Sequence, residues 1–146
     1  MNDNLQIYLC GKMTGLTIED MNMWRRCFKD TINHISDNVG AKIKIVNPCD
    51  YYNFECERYQ TQLEIMKFDL ARVKDSDLIV VNLDGLDSSI GSSIECYEAW
   101  KRDIPVLGFG NHEDYDKLHP WVQCCITRYD ENYKECINYI RDFYMT

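Results

Sequence analysis

No stretch of this sequence approaches the roughly 20 consecutive apolar residues that a helix needs to cross a bilayer. The first residues, Met-Asn-Asp-Asn, do not open a basic and then apolar leader, so the expectation is a cytoplasmic protein with no membrane partner. Basic residues are the scarcer charge: 16 Lys and Arg against 24 Asp and Glu give a formal net charge of −8. That balance argues against nucleic acid and anionic lipid as partners, since both need clustered Lys and Arg. A G-x-G-x-x-G dinucleotide loop is missing, and so are a P-loop lysine motif and any Cys-x-x-Cys pair. His34, His112 and His119 are scattered without metal spacing, so no metal is assigned. Small ligands remain.

Cysteine, by contrast, is plentiful. The eight residues at 10, 27, 49, 56, 96, 124, 125 and 136 have no paired spacing and are expected to be reduced, buried, structural thiols. With 45% hydrophobic and 27% charged residues, the 146-residue chain has ordinary globular composition and the size of one domain, 1–146.

Leu78 to Val81 is an apolar run rich in Ile and Val, the signature of a parallel strand covered on both faces. Polar residues follow at once: Asn82, Asp84, Asp87, then Ser88-Ser-Ile-Gly-Ser-Ser93, then helix formers from Ile94 to Arg102. Ligands of open α/β sheets bind where a strand ends and the next helix begins. Around this centre, Leu5–Cys10 alternates as a first strand, and Thr17 with Asp20 starts a helix whose apolar face is Met21, Trp24, Phe28, Ile32 and Ile35. Lys42–Asn47 is a second strand stopped by Pro48, and residues 49–59, with Tyr51, Tyr52, Phe54 and Tyr59, form a loop over a strand end. A helix from Thr61 to Val73 is expected to bury Leu63, Met66, Leu70 and Val73. Ile104–Phe109 is a fourth strand, Cys125–Tyr129 a fifth, and Glu131–Tyr144 a closing helix with Cys136, Ile137, Ile140 and Phe143 inward. The alternation predicts a single-domain α/β protein, a flavodoxin-like doubly wound sheet of five parallel strands.

Two carboxylates stand out. Ser92-x-x-Glu95 has capping-box spacing, which puts Glu95 in the first turn of its helix. Asp69 lies on or beside the apolar stripe of the preceding helix, where it is either a flank residue paired with Arg72 or Lys67, or a partner for Glu95 across the cleft. In the second case burial raises the pKa of Asp69, and an ionised carboxylate beside a poised acid suits glycosidic bond cleavage. Tyr8 is either a core tyrosine or a support for the Glu95 rotamer. The Ser88–Ser93 loop is either a plain turn or a site for a sugar hydroxyl or phosphate.

Together these residues resemble the nucleoside 2-deoxyribosyltransferase family. The likeness runs through Ile7-Tyr-Leu-Cys-Gly-Lys-Met13, Phe68-Asp69, Asp77 to Asp84, Ser89-Ile-Gly-Ser-Ser-Ile-Glu95 and Ile104-Pro-Val106. The resemblance implies Glu95 as nucleophile, Asp69 as the group handling the base's proton, and Tyr8 as the residue orienting Glu95. It further implies that Gly11, Met13, Asn82, Asp84, Ser89 and Gly91 contact substrate, that no cofactor is needed, and that a homo-oligomer completes each site from a neighbouring subunit, here through His119. Two positions depart from the pattern. Ser89 stands where several transferases carry an acid, as in related hydrolases of nucleoside 5′-monophosphates, and His119 stands where the neighbour's residue is usually Asn. The expected substrates are nucleosides or nucleotides and nucleobases. Three activities follow: deoxyribosyl transfer between bases, hydrolysis of 2′-deoxynucleoside 5′-monophosphates, or nucleotide binding without chemistry.

Overall fold

The computed structural model describes residues 4–52 and 58–145. In chain order the elements are β1 (Leu5–Cys10), α1 (Ile18–Val39), β2 (Ile43–Val46), α2 (Pro48–Tyr51), α3 (Gln62–Lys74), β3 (Leu78–Asn82), a 3₁₀ turn at Leu86–Ser88, α4 (Ile90–Lys101), β4 (Val106–Phe109), α5 (His112–Asp116), α6 (Pro120–Cys124), β5 (Arg128–Asp130) and α7 (Tyr133–Tyr144). The five strands form one sheet in the order β2-β1-β3-β4-β5, every pairing parallel. This is the expected flavodoxin-like topology. Among the described residues no helix is long and apolar enough to cross a membrane.

The two-residue period of a strand divides the core. Ile7 and Leu9 of β1, with Leu78 and Val80 of β3, pack with Phe28 and Ile32 of α1 and with Cys136, Ile137 and Ile140 of α7. The alternate residues, Tyr8, Cys10, Ile79 and Val81, pack on the other face with Val73 of α3 and Cys96 and Ala99 of α4. Tyr8 pairs with Ile79 across the β1–β3 ladder, so it faces the α3–α4 layer. Helix α1 begins as expected, with the Thr17 hydroxyl accepting from Asp20 N–H at 3.1 Å, and ends on Gly40.

Several expectations are corrected. Pro48 stops β2 but also opens α2, which Asn47 caps through Cys49 N–H at 3.0 Å, so the segment after β2 is not all loop. Tyr59 is half-buried, and Phe54 lies outside the described residues. Of the stripe proposed for α3 only Val73 is buried, while Leu63 and Met66 are exposed. The segment after β4 holds two short helices, and β5 lies about three residues later than its apolar run suggested. Phe143 is exposed because α7 turns Cys136, Ile137 and Ile140 to the sheet. Most described cysteines are buried or half-buried, but Cys27 and Cys124 are exposed, and Cys56 lies outside the described residues.

Candidate active site

At the carboxyl end of β3 the Asn82 side chain accepts from Asp84 N–H at 3.0 Å and turns the chain. Gly85 then adopts φ 79°, where an added Cβ would lie 2.7 Å from Cδ of Lys12. The lysine stem is thus laid along the turn, and its Nζ donates to Ser88 Oγ at 3.1 Å. Helix α4 starts at Ile90 with Ser89 as its cap residue, four positions earlier than the Ile94 start assumed from sequence. Ser92 therefore lies inside the helix, and no capping box with Glu95 forms. The Ser89 hydroxyl bonds Ser92 Oγ at 2.9 Å instead. Glu95 stands in the second turn, beside the buried Ser92, Cys96 and Ala99 that seat α4 on the sheet.

Asp69 on α3 and Glu95 on α4 line one cavity of about 470 Å³. Gly11 and Met13 from the β1–α1 loop, and Ser89 and Gly91 at the start of α4, line it too. Tyr8 lies buried beneath, on the sheet. Asn82, Asp84 and His119 do not line it: Asn82 and Asp84 form the turn after β3, and His119 Nδ1 accepts from Trp121 N–H at 3.1 Å as the cap of α6. Arg72, weighed as a partner for Asp69, pairs with Asp75 at 3.2 Å. Asp69 Oδ1 instead accepts from the hydroxyls of Tyr51 at 2.9 Å and Tyr52 at 2.6 Å.

The electrostatics correct one expectation, that Glu95 rests ionised, and agree with another, that burial raises Asp69. Burial pushes the Glu95 carboxyl up to about 8, against the influence of the nearby Tyr8 hydroxyl, while the charge of Asp69 adds to the rise. Among the described residues Oε2 of Glu95 is buried without a hydrogen-bond partner, and the Cys10 thiol lies 4.0 Å from Oε1. Burial also raises Asp69, but the Tyr52 and Tyr51 hydroxyls and the more distant Arg25 oppose it. At neutral pH Glu95 therefore holds its proton. Burial is the largest cause in both, and at Asp69 two hydroxyl donors oppose it.

Arg25 is one residue near the candidate site that its immediate sequence context does not single out. It is fully buried on the apolar face of α1, where it donates to the carbonyls of Met21 and, at 3.0 Å, of Gly11. Its guanidinium lies 4.7 Å from the Trp24 ring centroid. No carboxylate forms an ion pair with it among the described residues, and its charge reaches both Asp69 and Glu95 from behind the β1–α1 loop. Gly11 has no room for a side chain, since a Cβ there would come within 2.9 Å of Trp24 Cζ2. The spacing Met21, Arg25, Phe28, Ile32 was the available signal, since it puts a charge on an apolar stripe. Tyr51 and Tyr52 gave no comparable signal, because their contact with Asp69 joins elements distant in sequence.

The cavity also has Lys12, Tyr52, Tyr59 and Ile65 in its wall. Such an arrangement can hold a small polar ligand between two carboxyl groups, with aromatic surface on one side and hydroxyls with a cation on the other. Among the described residues no group of His, Cys, Asp and Glu is arranged to hold a metal ion.

No protein-family model and no curated protein sequence matches the chain. Solved structures do. A conserved protein from Enterococcus faecalis V583 superposes with a TM-score of 0.74 at 16% identity, over 94% of this chain and 98% of that one. A 2-deoxyribosyltransferase from Bacillus psychrosaccharolyticus superposes with a TM-score of 0.52 at 18% identity, over 92% of this chain and 91% of that one. At these identities the likeness is one of fold.

Proposed function

We propose that this protein cleaves the N-glycosidic bond of a 2′-deoxynucleoside and transfers the sugar to a second nucleobase. The observation that carries the reading is the meeting of Asp69 and Glu95, from separate helices, on one cavity, with Oε2 of Glu95 buried and, among the described residues, unpartnered. In the proposed reaction Glu95 gives its proton to Asp69, the carboxylate so formed bonds to the anomeric carbon as the carbon–nitrogen bond breaks, and Asp69 passes that proton to the departing base. A nitrogen of the incoming base then attacks the same carbon, its proton passing to Asp69, and Glu95 leaves as a carboxylate. No cofactor is required for these steps. The transferase from Bacillus psychrosaccharolyticus supports the reading to the extent that the two proteins share a fold.

Incubation with deoxyinosine and adenine tests it, the expected product being deoxyadenosine. Glu95→Gln should lower turnover by about 10³-fold or more and abolish a deoxyribosyl mass adduct on the wild-type protein. Full turnover in that variant rejects Glu95 as the nucleophile, whereas neither product nor adduct from the wild type leaves a nucleotide-binding module without chemistry as the better account. Because the pair must hold the one proton that reaches the base, and Glu95 holds it in the free protein, kcat/KM should be level below the pKa of about 8 and fall above it. A profile that climbs through pH 8 contradicts this.

One observation favours a second reading. Lys12 Nζ meets Ser88 Oγ beside the start of α4, where helix N–H groups attract anions. A 5′-phosphate suits that corner, with water in place of the acceptor base. Release of deoxyribose 5-phosphate from a deoxynucleoside monophosphate, weakened by Lys12→Met, is the outcome that favours hydrolysis.

A homo-oligomer belongs to the same proposal. Leu63, Met66, Ile90 and Ile94 are exposed along an open groove that shares Asp69 and Glu95 with the cavity, and a neighbouring copy contributing its His119 there would complete the site. Sedimentation equilibrium should give an assembly that Leu63→Asp with Ile90→Asp reduces to monomers.

A further inference from the structure

The outlined reaction assigns no task to two phenols that meet on one carboxylate oxygen. Tyr51 donates to Asp69 Oδ1 at 2.9 Å and Tyr52 donates to the same atom at 2.6 Å. The second distance lies in the range of a hydroxyl donating to a charged oxygen. Both donors fall on Oδ1, and among the described residues no donor falls on Oδ2.

The segment behind the phenols holds them there. Buried Asn47 caps α2 through Oδ1 and donates from Nδ2 to Asn22 Oδ1 on α1 at 2.8 Å, and Lys29 of α1 pairs with Asp50 at 3.6 Å. Helix α2 is thus tied to α1 at two points. Tyr51 meets Phe68, the chain neighbour of Asp69, edge to face with ring centroids 5.0 Å apart, and Tyr52 in the same manner at 4.8 Å. Within this cluster the phenols cannot turn away from Asp69 without breaking ring contacts.

We infer that Tyr51 and Tyr52 are positioning residues of the proposed reaction, which together hold Asp69 turned so that only Oδ2 meets the migrating proton. The inference rests on the reading of Asp69 as the group that handles that proton. Hydrogen bonds to the charged form of a carboxyl favour it, so losing a donor moves the titration upward.

The test is carbon-13 NMR titration of protein labelled at aspartate side-chain carboxyls, with Asp69→Asn to assign the resonance. Tyr51→Phe and Tyr52→Phe should each raise the Asp69 midpoint by about half a unit or more, and the double variant should raise it further. The rings remain in both, so packing is kept, and circular dichroism should match the wild type. In base release the double variant should lose about tenfold in kcat with KM changed less than about twofold. Purely structural phenols would leave the midpoint in place, and an unmoved midpoint in both single variants overturns the inference. Undiminished kcat in the double variant overturns it as well. A wild-type protein that releases no base, while the midpoint moves as expected, rejects the proposed function and upholds the hold of the phenols on Asp69.

Discussion

Glu95 links the site to the stability of the chain. Its carboxyl titrates near 8 in the folded protein because burial penalises the charge, against about 4.5 for an ordinary glutamate. Between those values the folded state holds more protons than the unfolded state, so stability is complete below about pH 4.5 and declines as pH rises toward 8. Replacing the ionisable group removes the decline. In urea unfolding, Glu95→Gln should match the wild type near pH 5 and exceed it by a few kcal/mol at pH 8. Equal differences at both pH values would show that Glu95 is not buried as described. Arg25 is a buried side chain of the opposite charge. It relies on two carbonyls and the Trp24 face.

At the scale of elements, α2 and α3 differ in what anchors them. Four-residue α2 depends on Asn47, which is 2% exposed and spans the cap and the bond to Asn22. Asn47→Ala leaves Asn22 and Cys49 N–H without those partners and should cost about 1–3 kcal/mol in thermal unfolding. Helix α3 depends instead on Val73 and on a capping box between Thr61 and Glu64. Its outer stripe carries little of the monomer's stability, so Leu63→Ser, with Leu63 60% exposed, should change the unfolding free energy of the monomer by no more than about 0.5 kcal/mol. The α3 stripe shows where periodicity misleads. Spacing by three and four locates an apolar face but not what the face packs against, and here it borders an open groove. The start of α4 misled for a related reason: Gly91 and three serines between Ser89 and Ser93 look like loop, yet the helix runs through them because Ser92 is buried against the sheet.

In the whole molecule the sheet separates two layers of different duty. Helices α1 and α7 cover one face with an apolar core that includes Phe28, stacked on Phe109 with centroids 6.4 Å apart. Phe28→Ala should therefore cost about 3–5 kcal/mol, and Phe143→Ala, on the exposed side of α7, no more than about 0.5 kcal/mol, as read by denaturant midpoints. The other face carries α3 and α4, and with them the two carboxyl groups. The sequence by itself determined the order of strands and helices, the buried run of β3 and the five-stranded parallel sheet, because these follow from local periodicity and from the handedness of parallel crossovers. It also marked Glu95 and Asp69 through their places beside a strand end and an apolar stripe. Only the tertiary structure decided which residues complete the cavity and how its carboxyl groups are shifted. Tyr51 and Tyr52 reach Asp69 from 18 and 17 residues away, and Arg25 reaches Gly11 from 14. Burial, donors and charges set those shifts together, and all three are properties of packing between elements that no local pattern in the chain encodes.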